Sequence, residues 1–434
     1  MTDTIAALAA RRVWDSRGHP TVEVEVRTAR GATGRAIAPA GASRGRREAL
    51  DLRDGGARLR GRDVQRALAG ISERIAPALA GLPVADQAAV DAALLALDPS
   101  PLKAELGGNA TVATSLAVLH AAAASAGRPL WEHLATSRGA TPSIPLPEIQ
   151  IFGGGAHAGR RVDIQDFMVM VPGAASFAEA LEITAEIYFA AGDIMARRGK
   201  LAGVADEGGW WPEFASNEEA LETLVEAIAL AGEAPGARVG ISLDIAASEF
   251  GAAGRYRLAL EDREMDGAAW AGVLAGWLEA YPILSIEDPV GEDDTAGMVC
   301  FTAAHGRDVQ IIGDDYLVTN ASLVEEAARA GACNAVLVKV NQAGTVSEAL
   351  AAMAAARAAG WGTVVSARSG ETEDVSIAHL AVGLDAGQIK VGSFARSERM
   401  AKWNEVLRIE EALGPRHFVG ADPLDGARRA PPAG

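Results

Sequence analysis

Apolar and polar positions follow two different rhythms along this 434-residue chain, and the change falls near residue 140. Before it, TVEVEVR at residues 21–27 alternates strictly after the turn signal SRGHP, which predicts a half-buried strand in an antiparallel meander. Alanine-rich amphipathic segments near 63–82, 86–97 and 111–126, separated by Gly and Pro, predict a helical layer. From about Ser143, short apolar runs end in polar residues: DIQDFMVMVP, GISLDIAASEF, ILSIEDP, VQIIGDD, AVLVKVNQ, TVVSARSG and GQIKVGS. The later runs recur about every 25 residues with helical segments between them, the rhythm of β/α barrel units. The pattern predicts an α/β protein: a smaller α+β domain over 1–140, a β/α barrel with the active site over 141–420, and a flexible tail over 421–434.

In such barrels the strand C-termini share one face, so Asp244, Glu287, Asp314, Lys339, Arg368 and Lys390 are expected at one mouth. Each acid singly could end its strand by bonding a loop amide. Three converging carboxylates without a counter-ion would repel one another, and a divalent cation resolves that. Oxygen ligands without histidine or cysteine point to Mg²⁺ rather than Zn²⁺ or Cu²⁺. A lysine beside a metal and a second cation has its neutral form favoured, which suits Lys339 to remove a proton next to a carboxylate. The alternative is that Lys339 and Lys390 only bind anions.

Bulk properties narrow the class. Hydrophobic content of 49% and charged content of 22%, with no apolar run near the roughly 20 residues of a membrane helix, predict a soluble protein without a membrane partner. A net charge of −17 argues against nucleic-acid binding. An anionic substrate stays open, because Arg44, Arg46 and Arg47 cluster in the small-residue loop PAGASRGRRE. Cys300 and Cys333 stand apart in apolar surroundings and are expected as buried thiols. With no export signal in MTDTIAALAARRVWDSRG, the expected location is the cytoplasm.

DSRGHPTVEVEV, PAGASRG, IQDFMVM, ADEGGWWP, SLDIAASEF, SIEDP, GDDYLVTN, LVKVNQAGT, RSGETED and GQIKVGS, in that order, resemble the enolase family over nearly the whole chain. The resemblance implies an enolase-type eight-fold β/α barrel after a smaller α+β domain, and a homodimer or octamer. It also implies two Mg²⁺ ions, one tightly bound, and elimination of water from 2-phosphoglycerate. By matching motif, Asp244, Glu287 and Asp314 would bind the first Mg²⁺, and Ser43 the second. Lys339 would take the C2 proton, Lys390 would support the carboxylate charge, and Glu207, with Asp166 as the other candidate, would protonate the leaving hydroxyl. His157 and Gln165 would line the pocket, while Arg368 and Ser369 would hold the phosphoryl group.

The departures have a direction. Where enolases read SHRSGETED this chain has Ala367 in place of the histidine, and Asp166 shortens a glutamate by one methylene. Asn-Gly-Gly-Ser-His has become Gly153, Gly154, Gly155, Ala156 and His157, and in the mobile loop PSGASTG the first serine is Ala40 and the threonine Arg44. These changes remove side-chain volume and add a cation at the lid. About −3 from the ligands and −3 from a phosphoglycerate balance two Mg²⁺, Lys390 and Arg368, so a further substrate carboxylate would need Arg44. The expectation is a Mg²⁺-dependent dehydratase acting on an enlarged, more anionic phosphoryl or phosphonoformyl substrate. This resembles the carboxyphosphonoenolpyruvate synthase branch of phosphinothricin-type antibiotic pathways. Ordinary enolase and a catalytically silent enolase-fold binding protein are the alternatives.

Overall fold

The computed structural model describes residues 2–428. Strands β1 (Ile5–Trp14), β2 (Pro20–Thr28) and β3 (Thr33–Ile37) form an antiparallel sheet in that order. Val22, Val24 and Val26 are buried against helix Gly108–Ser125. Gly34 permits the approach, since a Cβ there would lie 2.1 Å from the Ala121 nitrogen. The second face of β2 is less wet than strict alternation predicts: Thr21 and Glu23 are buried too, and Arg11 and Arg35 cover Glu23 with ion pairs. The predicted helical layer is present, with Gln87–Leu97 and Gly108–Ser125 as its longer members.

Eight strands then close a barrel: β4 (Leu146–Gly153), β5 (Asp166–Met170), β6 (Gly240–Asp244), β10 (Ile283–Glu287), β11 (Gln310–Gly313), β12 (Ala335–Val338), β13 (Gly362–Ser366) and β14 (Gly387–Ser393). A small meander, β7 (Gly251–Ala252), β8 (Arg255–Leu258) and β9 (Arg263–Asp266), branches off after β6. The β/α alternation read from the later runs does not extend to β5, which runs antiparallel to both β4 and β6. The β4–β5 connection holds only a short turn at Gly155–Ala158, not the helical crossover that a parallel pair needs. The reversal puts the first residue of β5 at the mouth, where Asp166 registers with Asp244. Outer helices start at caps legible in the sequence: Ser176, Ser216 and Thr345 each accept the backbone N–H of a glutamate three residues on.

The tail expected after residue 420 is helical over Asp422–Arg428. Leu424 is buried against Leu146 and Met170, and Val419 donates to the Ile144 carbonyl, so this segment closes the barrel bottom instead of fraying. Residues 429–434 of that expected tail lie outside the described residues. Cys333 is buried as expected, but Cys300 is exposed on helix Thr295–His305, because its helix turns that position outward. Among the described residues no single helix is long and apolar enough to cross a membrane.

Below the mouth one side of the barrel interior holds a polar belt, beside a buried apolar cluster of Ile312, Ala335, Leu337 and Val364. Glu148 accepts hydrogen bonds from Gln388 Nε2 (2.7 Å) and Ser242 Oγ (3.1 Å). Gln388 also donates to Gln310 (2.9 Å), whose amide oxygen accepts from Ser285 (3.2 Å). Burial pushes the Glu148 carboxyl from 4.5 up to about 7, against the downward pull of Lys390 and the two hydrogen bonds.

Because the folded-state pKa is raised, the neutral carboxyl stabilises the fold. That contribution is complete below 4.5 and is lost as pH rises through about 7. Glu148→Gln keeps the shape without the charge, so it should exceed the parent's stability by about 3 kcal/mol near pH 8 and match it near pH 4. Urea unfolding at both pH values reads this, and an equal difference at the two would contradict it.

Candidate active site

The strand ends bring charged side chains together at the mouth. Lys390 Nζ lies 2.7 Å from Asp244 Oδ2, 2.8 Å from Glu287 Oε2 and 3.5 Å from Asp166 Oδ2. Lys339 Nζ lies 2.5 Å from Asp314 Oδ2, and Gln342 Nε2 donates to the other Asp314 oxygen at 2.9 Å. The three acids therefore converge as expected, but two ammonium groups hold them, not a single point. Burial opposes the charge on Lys390, yet Asp244 and Glu287 hold its pKa well above the ordinary value. Burial likewise opposes the charge on Lys339, and the neighbouring Asp314 outweighs it and raises the pKa. Burial, then the neighbouring Asp244, raises the Glu287 carboxyl.

Opposite them, His157 lies between two acids. Its Nδ1 is 3.0 Å from Asp166 Oδ1 and its Nε2 is 3.7 Å from Glu207 Oε1. Burial disfavours the imidazolium, but Glu207 and Asp166 prevail and raise its pKa to about 9. Gln150 donates to the same Asp166 oxygen and accepts from the Gly209 N–H at 2.9 Å, tying Asp166 to the loop that carries Glu207. Gln165 Nε2 donates to Asp244 Oδ2 at 3.0 Å.

Residues 39–48 lie across this mouth. Ala40 bridges Gly370, and the Ala42 N–H donates to Ser369 Oγ at 2.7 Å. Arg368 donates from Nη2 to the Ser43 carbonyl (3.0 Å) and from Nη1 to Asn341 Oδ1 (3.0 Å), and Glu48 pairs with it at 3.3 Å. A Cβ at Gly41 would collide with the Arg368 guanidinium at 1.9 Å, so the close approach needs glycine. Arg46 and Arg47 fasten the far end to Glu292 (3.0 Å) and the Tyr316 carbonyl (2.7 Å). Behind the turn, Arg399 is fully buried and donates to the Arg368 (2.6 Å) and Val391 (2.9 Å) carbonyls.

Ser43, His157, Gln165, Asp166, Glu207, Asp244, Lys339, Ala367, Arg368, Ser369 and Lys390 line one cleft. Arg44 does not line it. Its side chain is 44% exposed, and its nearest carboxylate is Glu48, 3.9 Å away, because position 44 points to solvent while its neighbour Ser43 faces inward. The expectation that the glycine at 153, in place of asparagine, enlarges the cleft also fails. A Cβ at Gly153 would sit 2.7 Å from Ala205 Cβ, and one at Gly154 would sit 2.2 Å from the Ile164 carbonyl oxygen, so packed atoms already fill that space.

Other participants had weak sequence signals. Asp288 and Asp315 flank the expected acids in the ED and DD pairs, and the Asp288 carboxylate accepts the backbone N–H groups of Asp314 (2.9 Å) and Asp315 (2.7 Å). Glu48, Arg399 and Gln150 could not be singled out, since their partners are remote in the chain.

The donor set suits a hard divalent cation. Glu287 Oε1 is buried without a hydrogen-bond partner, as are Asp166 Oδ2 and Gln165 Oε1, all at the same mouth. Carboxylate and amide oxygens gathered around too little positive charge are what Mg²⁺ binds. Residues 5–134 match the family described as enolase, N-terminal domain, and residues 141–424 match enolase, C-terminal TIM barrel domain. The chain belongs to the enolase family. That membership supports a Mg²⁺-dependent, enolase-type function, and the oxygen-rich mouth agrees with it.

If Asp244 and Glu287 hold Mg²⁺, saturating Mg²⁺ should stabilise this enolase-family protein by about 3 kcal/mol at 100 times the dissociation constant. A thermal-shift titration measures this. Asp244→Asn should remove most of the shift, and an unchanged shift would discount this residue as a ligand.

Proposed function

We propose that this protein is a hydro-lyase that eliminates water from an enlarged, more anionic analogue of 2-phosphoglycerate, a phosphonoformyl glycerate, as carboxyphosphonoenolpyruvate synthases do. One observation carries the reading. Ala367 lies on the cleft wall beside Arg368, its N–H bonded to the Lys390 carbonyl at 2.8 Å, where the enolase motif has a histidine. An alanine there, lacking the imidazole, supports a larger phosphorus end beside the guanidinium that would grip it.

Bound Mg²⁺ would neutralise the substrate carboxylate and the charge that grows on it during proton removal. Lys339 takes the C2 proton. Its burial favours the neutral amine and Asp314 alone opposes this most strongly, so Lys339 becomes a base when Asp314 is engaged elsewhere. Lys390 stays an ammonium and supports the developing enediolate. Glu207 delivers the proton to the leaving hydroxyl, with His157 behind it and Asp166 holding the far imidazole nitrogen. Of the two acids, Glu207 is favoured as donor because Asp166 is already committed to His157 and Gln150. Arg368 and Ser369 hold the phosphorus end once the Ser43 carbonyl and Glu48 release the guanidinium.

One observation favours the smaller substrate of ordinary enolase: Arg44 stands outside the cleft, so an additional carboxylate meets it only if the loop moves. Purified protein with Mg²⁺ and either 2-phosphoglycerate or its phosphonoformyl analogue decides, read by enol absorbance. Faster turnover of the analogue is expected, and fast turnover of 2-phosphoglycerate alone would sink the reading. Silence with both would favour a binding protein. Ala367→His should raise 2-phosphoglycerate turnover by about 10²-fold, the low end for a positioned acid or base, while slowing the larger substrate. Arg44→Ala should weaken only the larger substrate, by about 2 kcal/mol. Equal losses on both would contradict a role for Arg44 in reading the extra carboxylate.

A further inference from the structure

Ser242, Ser285, Gln388 and Glu148 stand two positions before Asp244, Glu287, Lys390 and Gln150 on their respective strands. Alternation along a strand turns each pair to the same inward face, so the belt is the tier directly beneath the candidate active site. These four belt residues, and Gln310 beside them, are fully buried. Glu148 is the ionisable member, and its α-carbon registers with that of Lys390 across β4 and β14. Nothing in the proposed elimination uses it. Inner tiers of such barrels are usually filled by Val, Ile and Leu, so a carboxylate there costs desolvation that folding alone does not require.

We propose that Glu148 is a positioning residue for the cation-binding side of the mouth: from one tier below, its charge and hydrogen bonds strengthen the grip of Asp244 and Glu287 on a divalent cation. The inference rests on reading those two acids as cation ligands. Lys390 and a cation draw on the same two carboxylates, at 2.7 and 2.8 Å from the ammonium. An added negative charge underneath favours holding both cations together. The hydrogen bonds supply the geometry: Ser242 lies on the strand of Asp244 and Gln388 on that of Lys390, so one carboxylate ties the two strands at fixed height. Groups hydrogen-bonded to metal ligands typically change affinity by 10–100-fold when altered, and Glu148 acts one step further off, through Ser242 and Gln388, which puts its expected effect at the low end.

Calorimetric titration of Mg²⁺ near pH 8, without substrate, tests this on the parent and on Glu148→Gln. The variant should bind Mg²⁺ about tenfold more weakly while its metal-free Tm is no lower. Ser242→Ala, which removes one hydrogen bond and leaves the charge, should weaken binding much less. Equal affinity in Glu148→Gln and parent overturns the proposal, and so does a lowered metal-free Tm with unchanged affinity, which would make Glu148 an element of the fold alone. If the parent takes up no Mg²⁺, the ligand reading falls and this inference with it. The readout uses no substrate, so a wrong substrate assignment would leave the result standing.

Discussion

One buried ammonium among three acids governs the mouth of this barrel. Lys390 meets Asp244, Glu287 and Asp166 within 3.5 Å, and all four side chains are removed from water. Such a cluster persists only if each charge keeps a partner, because a charge buried alone costs several kcal/mol. Closure of β14 onto β4 and of β6 onto β10 is what brings these partners together. The acids nonetheless outnumber the ammonium, which leaves Glu287 with an unpartnered oxygen and the mouth receptive to a further cation. Family membership supports an enolase-type, Mg²⁺-dependent function, and a mouth with that imbalance suits such a cation.

Around this centre, the reversed strand β5 does two things. It delivers Asp166 to the mouth from a strand start, and it leaves the β4–β5 connection free to carry His157 over the cleft. The imidazole then stands between Asp166 and Glu207, where both carboxylates hold its proton. Residues 39–48 complete the wall from the other domain, resting on the turn at Arg368 and Ser369. Arg399 and Lys402 fasten that turn from behind through backbone carbonyls, so the two domains meet on a braced surface.

Much of this was legible along the chain because each barrel strand is an apolar run that stops at a charged residue. Asp244, Glu287, Asp314, Lys339, Arg368 and Lys390 were all expected at one mouth, and they line or support one cleft. The direction of β5 was not legible, since period-two patterning is the same in either direction and only the short linker decides it. Nor was the solvent-facing orientation of Arg44, which depends on how a loop lies against a distant wall. The glycine at 153 looked like lost volume, but Ala205, remote in sequence, occupies the space. Leu424 anchors a tail whose composition resembles a frayed end.

By itself, the sequence determined the two-domain α/β architecture, the strand ends and the chemical kinds gathered there. Local hydrophobic periodicity and residue type carry that information over a few residues. The tertiary structure alone decided which charges pair: Lys390 with Asp244 and Glu287, Lys339 with Asp314, His157 between Asp166 and Glu207. It also decided that Glu148 lies beneath them in a polar belt. The reason is physical: the strength of a charge interaction depends on distance and burial, and neither exists until strands far apart in the chain close into a barrel.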